Sequence, residues 1–371
     1  MVLWSTLALF IWVTASCLPL RAETYVSLDD ALQKVRNQYH LPALAGAIFT
    51  TDGVVEMGVV GVRKRGTDVP VTINDLWHLG SDTKMMTAML LGTYVAEGKV
   101  SWNDTVVSFF PRIGESVSPA MRKITLAQVL SHTAGLQENL PWGEISRKGT
   151  LQEQRLRSVR LALEAPAFPP GTFHYANTDY VVIGAVLEKI SGEPWEKLMR
   201  ERLFRPLQMN TAGFHGTGTP GQINQPWPHD ASGQPMPTNG PMQDNPEVMG
   251  PAGTVHCDMK DWAKFLIDQL RGGSGLPALL PNSIYQAMQT AQPGCDYGFG
   301  WIVTKRPWAG GTALNHVGSN TMNLANVWLA PNRKFGVLAC TNQGGADAQK
   351  AADEMVGILI QRYLASQKTG Q

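Results

Sequence analysis

The sequence predicts an α/β (α+β) fold: one antiparallel sheet built from both chain ends and flanked by helices, with a mainly helical lobe against it. Three observations point there. Near the start, a helical segment precedes two strand-like runs across a tight turn. Near the end, three more strand-like runs precede an amphipathic helix, and the stretch between carries helical periodicity. Taken in order, Ser27-Leu28-Asp29-Asp30 has the form of a capping box opening a helix to about Asn37. Residues 43–50 and 54–62 read as strands around Thr51-Asp52-Gly53. The centre offers helices at 84–97, stopped by Gly98, at 126–131, at 178–191, stopped by Gly192, at 195–204 and at 258–270. Residues 212–253, dense in Gly, Pro, Asn and Gln, are too long for an ordinary connection and are expected to drape over the surface or rim a cleft. Strands follow at 298–304, 323–329 and 335–341, the last two joined by Pro331-Asn332-Arg333-Lys334, and a final helix runs from about 346 to 364. The expected division is a removable leader at 1–22 and one unit at 23–371, its sheet lobe from 23–65 and 290–371 and its helical lobe from 66–289.

Composition limits what any motif can mean. With 371 residues, 43% of them hydrophobic, the chain can bury a large core and is neither disordered nor fibrous. Its 31 basic residues are set against 30 acidic ones, with no long block of like charge, so no nucleic-acid partner is expected. Residues 2–20 carry no charge, and Leu20-Arg21-Ala22 ends in the small residue of an export cleavage site, which predicts cleavage before Glu23 and a periplasmic or secreted protein. The run is long enough for an anchor and lacks a basic start, but Ser5, Thr6, Thr14, Ser16 and Pro19 suit a membrane poorly. No stable membrane insertion is therefore expected after removal. Thr14-Ala15-Ser16-Cys17 resembles a lipoprotein cleavage box with Thr where an aliphatic residue is usual, which leaves a lipidated or anchored form as the alternative. Cys257, Cys295 and Cys340 remain, an odd count that allows at most one bridge and fixes none. Neither they nor the scattered histidines have metal-ligand spacing, so no metal and no cofactor are expected.

Three short motifs carry chemistry. In Ser81-Asp82-Thr83-Lys84 the serine falls where an apolar run becomes a helix, and the lysine three residues on shares its face. The ammonium can then reach the hydroxyl, and the helix start favours the negative charge that forms during nucleophilic attack. The bland reading is a capping serine with an exposed lysine. Tyr175-Ala176-Asn177 follows Pro169-Pro170-Gly171 and precedes a helix, which suits a cleft wall or a helix cap. His316-Val317-Gly318-Ser319 says little alone, because His78-Leu79-Gly80 matches it, and Lys368-Thr369-Gly370 at the chain end is a decoy.

In this order, Ser81-x-x-Lys84, Tyr175-x-Asn177 and His316-x-Gly318 resemble the motifs of the penicillin-recognising serine hydrolases. The branch is that of class C β-lactamases, serine DD-peptidases, D-aminopeptidases and family VIII esterases. The resemblance spans nearly all of 23–371, since Leu130-Ser131-His132-Thr133-Ala134-Gly135-Leu136, Phe168-Pro169-Pro170-Gly171, Pro251-Ala252-Gly253-Thr254-Val255 and Tyr297-Gly298-Phe299-Gly300-Trp301 resemble its intervening segments. It implies a β-lactamase/transpeptidase-like fold, with Ser131-His132 as a supporting loop rather than part of a triad. No Gly-x-Ser-x-Gly is present to suggest an α/β-hydrolase. It also implies an acyl-enzyme on Ser81, Lys84 or Tyr175 as base, and His316 opposite Tyr175 where many relatives carry Lys. Asn177, Gly318 and Ser319 would bind substrate, the Ser81 and Ser319 N–H groups forming the oxyanion hole. Val317 stands where carboxylate-binding relatives commonly carry Thr, so the expected substrate is a neutral ester or amide. A D-alanyl-D-alanine carboxypeptidase or D-aminopeptidase comes next, then a class C-like β-lactamase, and a penicillin-binding sensor without turnover is the non-enzyme alternative.

Overall fold

The structure, a computed structural model, describes residues 26–369; the expected leader at 1–22 and Gly370 lie outside them. Its strands are β1 (Val26–Ser27), β2 (Ala43–Thr50), β3 (Gly53–Gly61), β4 (Trp77–His78), β5 (Gly213–Phe214), β6 (Val255–Cys257), β7 (Ile302–Arg306), β8 (Gly311–Ser319), β9 (Leu324–Ala330) and β10 (Phe335–Thr341). Seven of them form one sheet in the order β1-β3-β2-β10-β9-β8-β7. All its pairings are antiparallel except the two-residue edge strand β1, which runs parallel to β3. The chain ends meet where β2 pairs with β10, from Phe335 opposite Thr50 to Cys340 opposite Ala45.

Side-chain alternation sends successive residues of these strands to opposite faces. Leu44 and Ile48 of β2, with Val337 and Ala339 of β10, pack beneath the helices Asp29–Gln38 and Gly345–Thr369. Ala45, Ala47 and Phe49, with Leu338 and Cys340, face the central lobe and belong to its larger core. The central element of that lobe is the helix Thr83–Ala96, buried along nearly its whole length. This explains why its sequence is apolar on every side rather than amphipathic.

Several expectations need correction. Ser27 ends β1 instead of capping a helix: its Oγ accepts from the Asp29 N–H at 3.1 Å, and no reciprocal box forms. Complete capping boxes occur at Thr125 with Gln128 and at Thr150 with Glu153. The latter opens a helix, Leu151–Glu164, that the pattern analysis passed over. The expected strand at 298–304 begins later, at Ile302, and β8 was missed altogether. The helix expected at 195–204 is α-helical only over Trp195–Met199 and continues as a wider π turn over Arg200–Phe204. Residues 212–253 hold only the short β5, a 3₁₀ turn and the helical turn Gly250–Gly253. Cys257, Cys295 and Cys340 are free thiols.

Candidate active site

Ser81 lies in the 3₁₀ turn Gly80–Asp82 that feeds the helix Thr83–Ala96, one turn before Lys84. Two close approaches fix that turn. Gly80 has φ +50°, and a Cβ there would fall 2.3 Å from the Ser319 nitrogen; a Cβ on Gly318 would meet the Leu79 carbonyl at 1.9 Å and the Ser81 nitrogen at 2.9 Å. Only glycines allow β8 to lie against the serine turn. From below, the Gly80 N–H donates to His78 Nδ1 at 3.1 Å, so the other ring nitrogen donates to Asp244 Oδ2 at 2.9 Å. Asn320 Nδ2 holds the same carboxylate at 2.9 Å. His78, the decoy match to the third motif, is thus a strut of the serine turn.

Lys84 is fully buried, and its Nζ contacts three oxygens: Ser81 Oγ at 2.9 Å, Asn177 Oδ1 at 2.7 Å and the Ala252 carbonyl at 2.8 Å. Burial lowers its pKa to about 7, against the opposing pull of Asp179 and Asp82. An ammonium can donate to all three oxygens, and the same set also serves a neutral amine. In the amine, the amide and carbonyl oxygens, which can only accept, take two N–H bonds, and the nitrogen lone pair is left for the Ser81 O–H. The orientation of Asn177 follows from its neighbours. Trp142 Nε1 can only donate, so the atom it meets at 3.2 Å is Asn139 Oδ1, which also accepts from Asn177 Nδ2 at 2.9 Å and turns the Asn177 oxygen toward Lys84. Asn177 is the first residue of the helix Asn177–Ser191 and does not cap it.

The Tyr175 phenol lies beside Ser81, and its ring centroid is 4.8 Å from Lys84 Nζ. Burial, more than the nearby carboxylates, holds its phenol above the usual range. Behind it, His132 Nδ1 faces Asp179 Oδ2 at 2.7 Å and accepts from the Ala176 N–H at 3.2 Å. Burial drives His132 well below and Asp179 well above their ordinary values, and their hydrogen bond shapes the Tyr175 loop. Ser131 Oγ donates to the Ala127 carbonyl at 2.8 Å, which leaves no Ser131-His132 triad.

The structure brings all three motifs together but places the third differently from expectation. His316 is 2% exposed; its Nδ1 meets Asp82 Oδ1 at 2.8 Å and its Nε2 meets the Tyr297 hydroxyl at 3.0 Å. Its ring centroid lies 6.5 Å from that of Tyr175, so it backs the site and does not reach the opening. Val317 packs on the cluster beneath the terminal helices, opposite Asn326, whose side chain bonds Asp353 of the helix Gly345–Thr369. Strand alternation thus turns position 317 away from Ser81, and the sequence argument from its missing hydroxyl falls. The Ser319 main chain stands at the serine turn, while its hydroxyl donates to the Asn323 carbonyl at 2.7 Å.

The Beta-lactamase family model matches residues 28–360. The chain belongs to the beta-lactamase family. Members of this family are serine hydrolases of the β-lactamase and penicillin-binding type. This member is 25% identical to penicillin-binding protein 4 of Amycolatopsis lactamdurans, over 91% of this chain and 92% of that protein. It is 24% identical to a putative penicillin-binding protein of Bacillus subtilis, over 92% and 82% respectively. Among solved structures it shares its fold with the octameric penicillin-binding protein homologue of Pyrococcus abyssi, at TM-score 0.72 and 22% identity over 89% of this chain and 76% of that one. The D-alanine carboxypeptidase AmpC of Burkholderia cenocepacia matches at TM-score 0.69 and 20% identity, over 89% and 97%. Within this beta-lactamase-family site, motif reading missed Asp82, Asn139, Asp179 and Tyr297. Asp82 and Tyr297 did leave signals, the first as the residue after the serine of the first motif and the second at the head of Tyr297-Gly298-Phe299-Gly300-Trp301.

Proposed function

We propose that the protein is a serine hydrolase that acts through an acyl-enzyme on Ser81, with esters or small amides as substrates. The observation that carries this reading is the buried Lys84 amine, 2.9 Å from Ser81 Oγ with its other two contacts on pure acceptors. Lys84 is the general base. Its pKa near 7 leaves a large neutral fraction at physiological pH, whereas burial opposes a Tyr175 phenolate. Ser81 Oγ bonds to the acyl carbon as its proton passes to Lys84. The carbonyl–oxygen or carbonyl–nitrogen bond then breaks, and Tyr175 relays that proton to the leaving group. Water attacks the ester in the reverse sense and restores Ser81. The adjoining Ser81 and Ser319 N–H groups serve as the oxyanion hole.

The substrate preference rests on the walls of the site. No Lys or Arg lines the hollow beside Tyr175, and His316 has both ring nitrogens engaged, which supports a substrate without a carboxylate. A D-alanyl carboxypeptidase or β-lactamase therefore ranks below an esterase or amidase. Ser81→Ala is expected to lower hydrolysis of p-nitrophenyl acetate and butyrate by roughly 10³-fold or more and to abolish labelling by a fluorophosphonate. Retained labelling would sink the assignment, and a single stoichiometric burst without turnover would make the protein a sensor. The uncharged start of the sequence and Leu20-Arg21-Ala22 support a location outside the cytoplasmic membrane. N-terminal mass analysis of exported protein is expected to find a new terminus near Glu23, and an intact Met1 on membrane-purified protein would overturn that location.

A further inference from the structure

We propose that the hollow beside Tyr175 selects substrates whose acyl group carries a protonated amine, with Glu138 as its counter-ion. This deepens the reading above and rests on it. The hollow, about 550 Å³, is lined among others by Gln137, Glu138, Asn139, Phe168, His174 and Tyr175. It shares Tyr175 with the second motif, and its lining residue Asn139 accepts from the Asn177 amide at 2.9 Å. One wall is a flat ring platform: the Phe168 and His174 rings stack 3.6 Å apart and 5° from parallel, and Phe168 is 39% exposed.

Glu138 supplies the charge. Its main chain is pinned, because its carbonyl accepts from the Asn177 N–H at 2.9 Å, so its place relative to the Tyr-x-Asn loop is fixed. Its side chain is exposed, and its one hydrogen bond is a long one from Asn139 Nδ2, at 3.4 Å. Among the described residues it has no ion-pair partner, and its charge is felt at the Tyr175 phenol. Lys84 is fully buried with its contacts on Ser81, Asn177 and Ala252 inside the site, so it does not pair with Glu138. An acyl group ending in a carboxylate would meet like charge with nothing to offset it. An ammonium beside a short apolar side chain would find a counter-ion and a ring face for contact.

Two larger hollows do not compete for this role. One, of about 790 Å³ between Arg36 and Arg65, and another, of about 610 Å³ between Phe110 and Glu188, contain none of the three motifs' residues.

The test compares kcat/KM for alanyl p-nitroanilide, in D and L series, with its N-acetyl and N-succinyl derivatives. It uses the full chain, Glu138→Gln and Glu138→Lys. The free amine is expected to be preferred over the acetylated substrate by roughly tenfold or more. That ratio should fall to about unity in Glu138→Gln and reverse toward the succinyl substrate in Glu138→Lys. It should also fade above about pH 8, as an α-amino group loses its proton. Equal or better turnover of the acetylated substrate, or a ratio unmoved by Glu138→Gln, overturns the proposal while leaving the hydrolase reading intact. Calorimetric binding of alaninamide to Ser81→Ala, at low and high salt, needs no turnover. Salt-sensitive binding that is lost in Ser81→Ala/Glu138→Gln supports the subsite even if no substrate is hydrolysed, a result that would sink only the hydrolase reading. No binding to Ser81→Ala overturns the subsite.

Discussion

Lys84 is the residue whose chemistry can be read out most directly. Below its pKa of about 7 it is an ammonium with no lone pair for the Ser81 proton; above it the amine is free. The expected profile is therefore a rise of kcat/KM through pH 7, read on an uncharged ester so that substrate ionisation does not enter. A flat profile between pH 5 and 9 would count against Lys84 as the base. The same shift also works on stability. A lysine lowered from 10.5 on folding takes up more protons in the unfolded chain between pH 7 and 10.5, so its contribution to stability improves as pH rises across that window. Asp82 makes a second case. It is fully buried, and its Oδ1 is the partner of His316 Nδ1, so Asp82→Ala leaves a buried ring nitrogen unpaired. The expected loss is about 1–3 kcal/mol by urea denaturation, with kcat reduced more than KM is raised. Asp82→Asn, which keeps an acceptor, is expected to recover much of the stability.

Elements differ in how legible they were, and the reasons are physical. The helices Thr83–Ala96 and Asn177–Ser191 were found because Gly98 and Gly192 stop their apolar runs. The strands β2, β3, β9 and β10 were found from β-branched and apolar runs bounded by turn residues. β8 was lost because Asn315, His316 and Gly318 replace that pattern where the strand serves the site, and its partner register with β9 is a long-range fact. The motif residues were legible as types and order, but which way each faces was not: the burial of His316 and the outward turn of Val317 follow from β8 being a strand. The close approach of β8 to the serine turn gives an element-scale prediction. Gly318→Ala would force its methyl into the Leu79 carbonyl and separate the two main chains, so kcat is expected to fall about 10²-fold or more, as for loss of an oxyanion donor, with the secondary structure retained by circular dichroism. Away from the site, Thr150→Ala removes one half of a capping box and should lower stability by about 1 kcal/mol with no change in kcat/KM.

At the scale of the whole molecule, Arg155 ties the helical lobe together. Its guanidinium is fully buried and meets Glu188 and Glu196, each at 2.5 Å, as well as the Val248 and Glu247 carbonyls. It joins the helix Leu151–Glu164 to the helix Asn177–Ser191 and to the segment that leads into Ala252, the residue whose carbonyl holds Lys84. Arg155→Met leaves two carboxylates without their cation and is expected to lower stability by about 3–5 kcal/mol in denaturant titration. No helix among the described residues is long and apolar enough to cross a membrane. The pairing of β2 with β10 sets a different constraint, one of timing. A ribosome delivers the β2–β3 hairpin nearly the whole chain before the strand that must lie beside it, so the open side of β2 waits through synthesis of the entire helical lobe. Until β10 arrives, that side offers unpaired N–H and C=O groups and a row of apolar side chains to any passing strand. The newborn chain is thus most exposed to mispairing just before completion, and the risk ends only when both chain ends are present together.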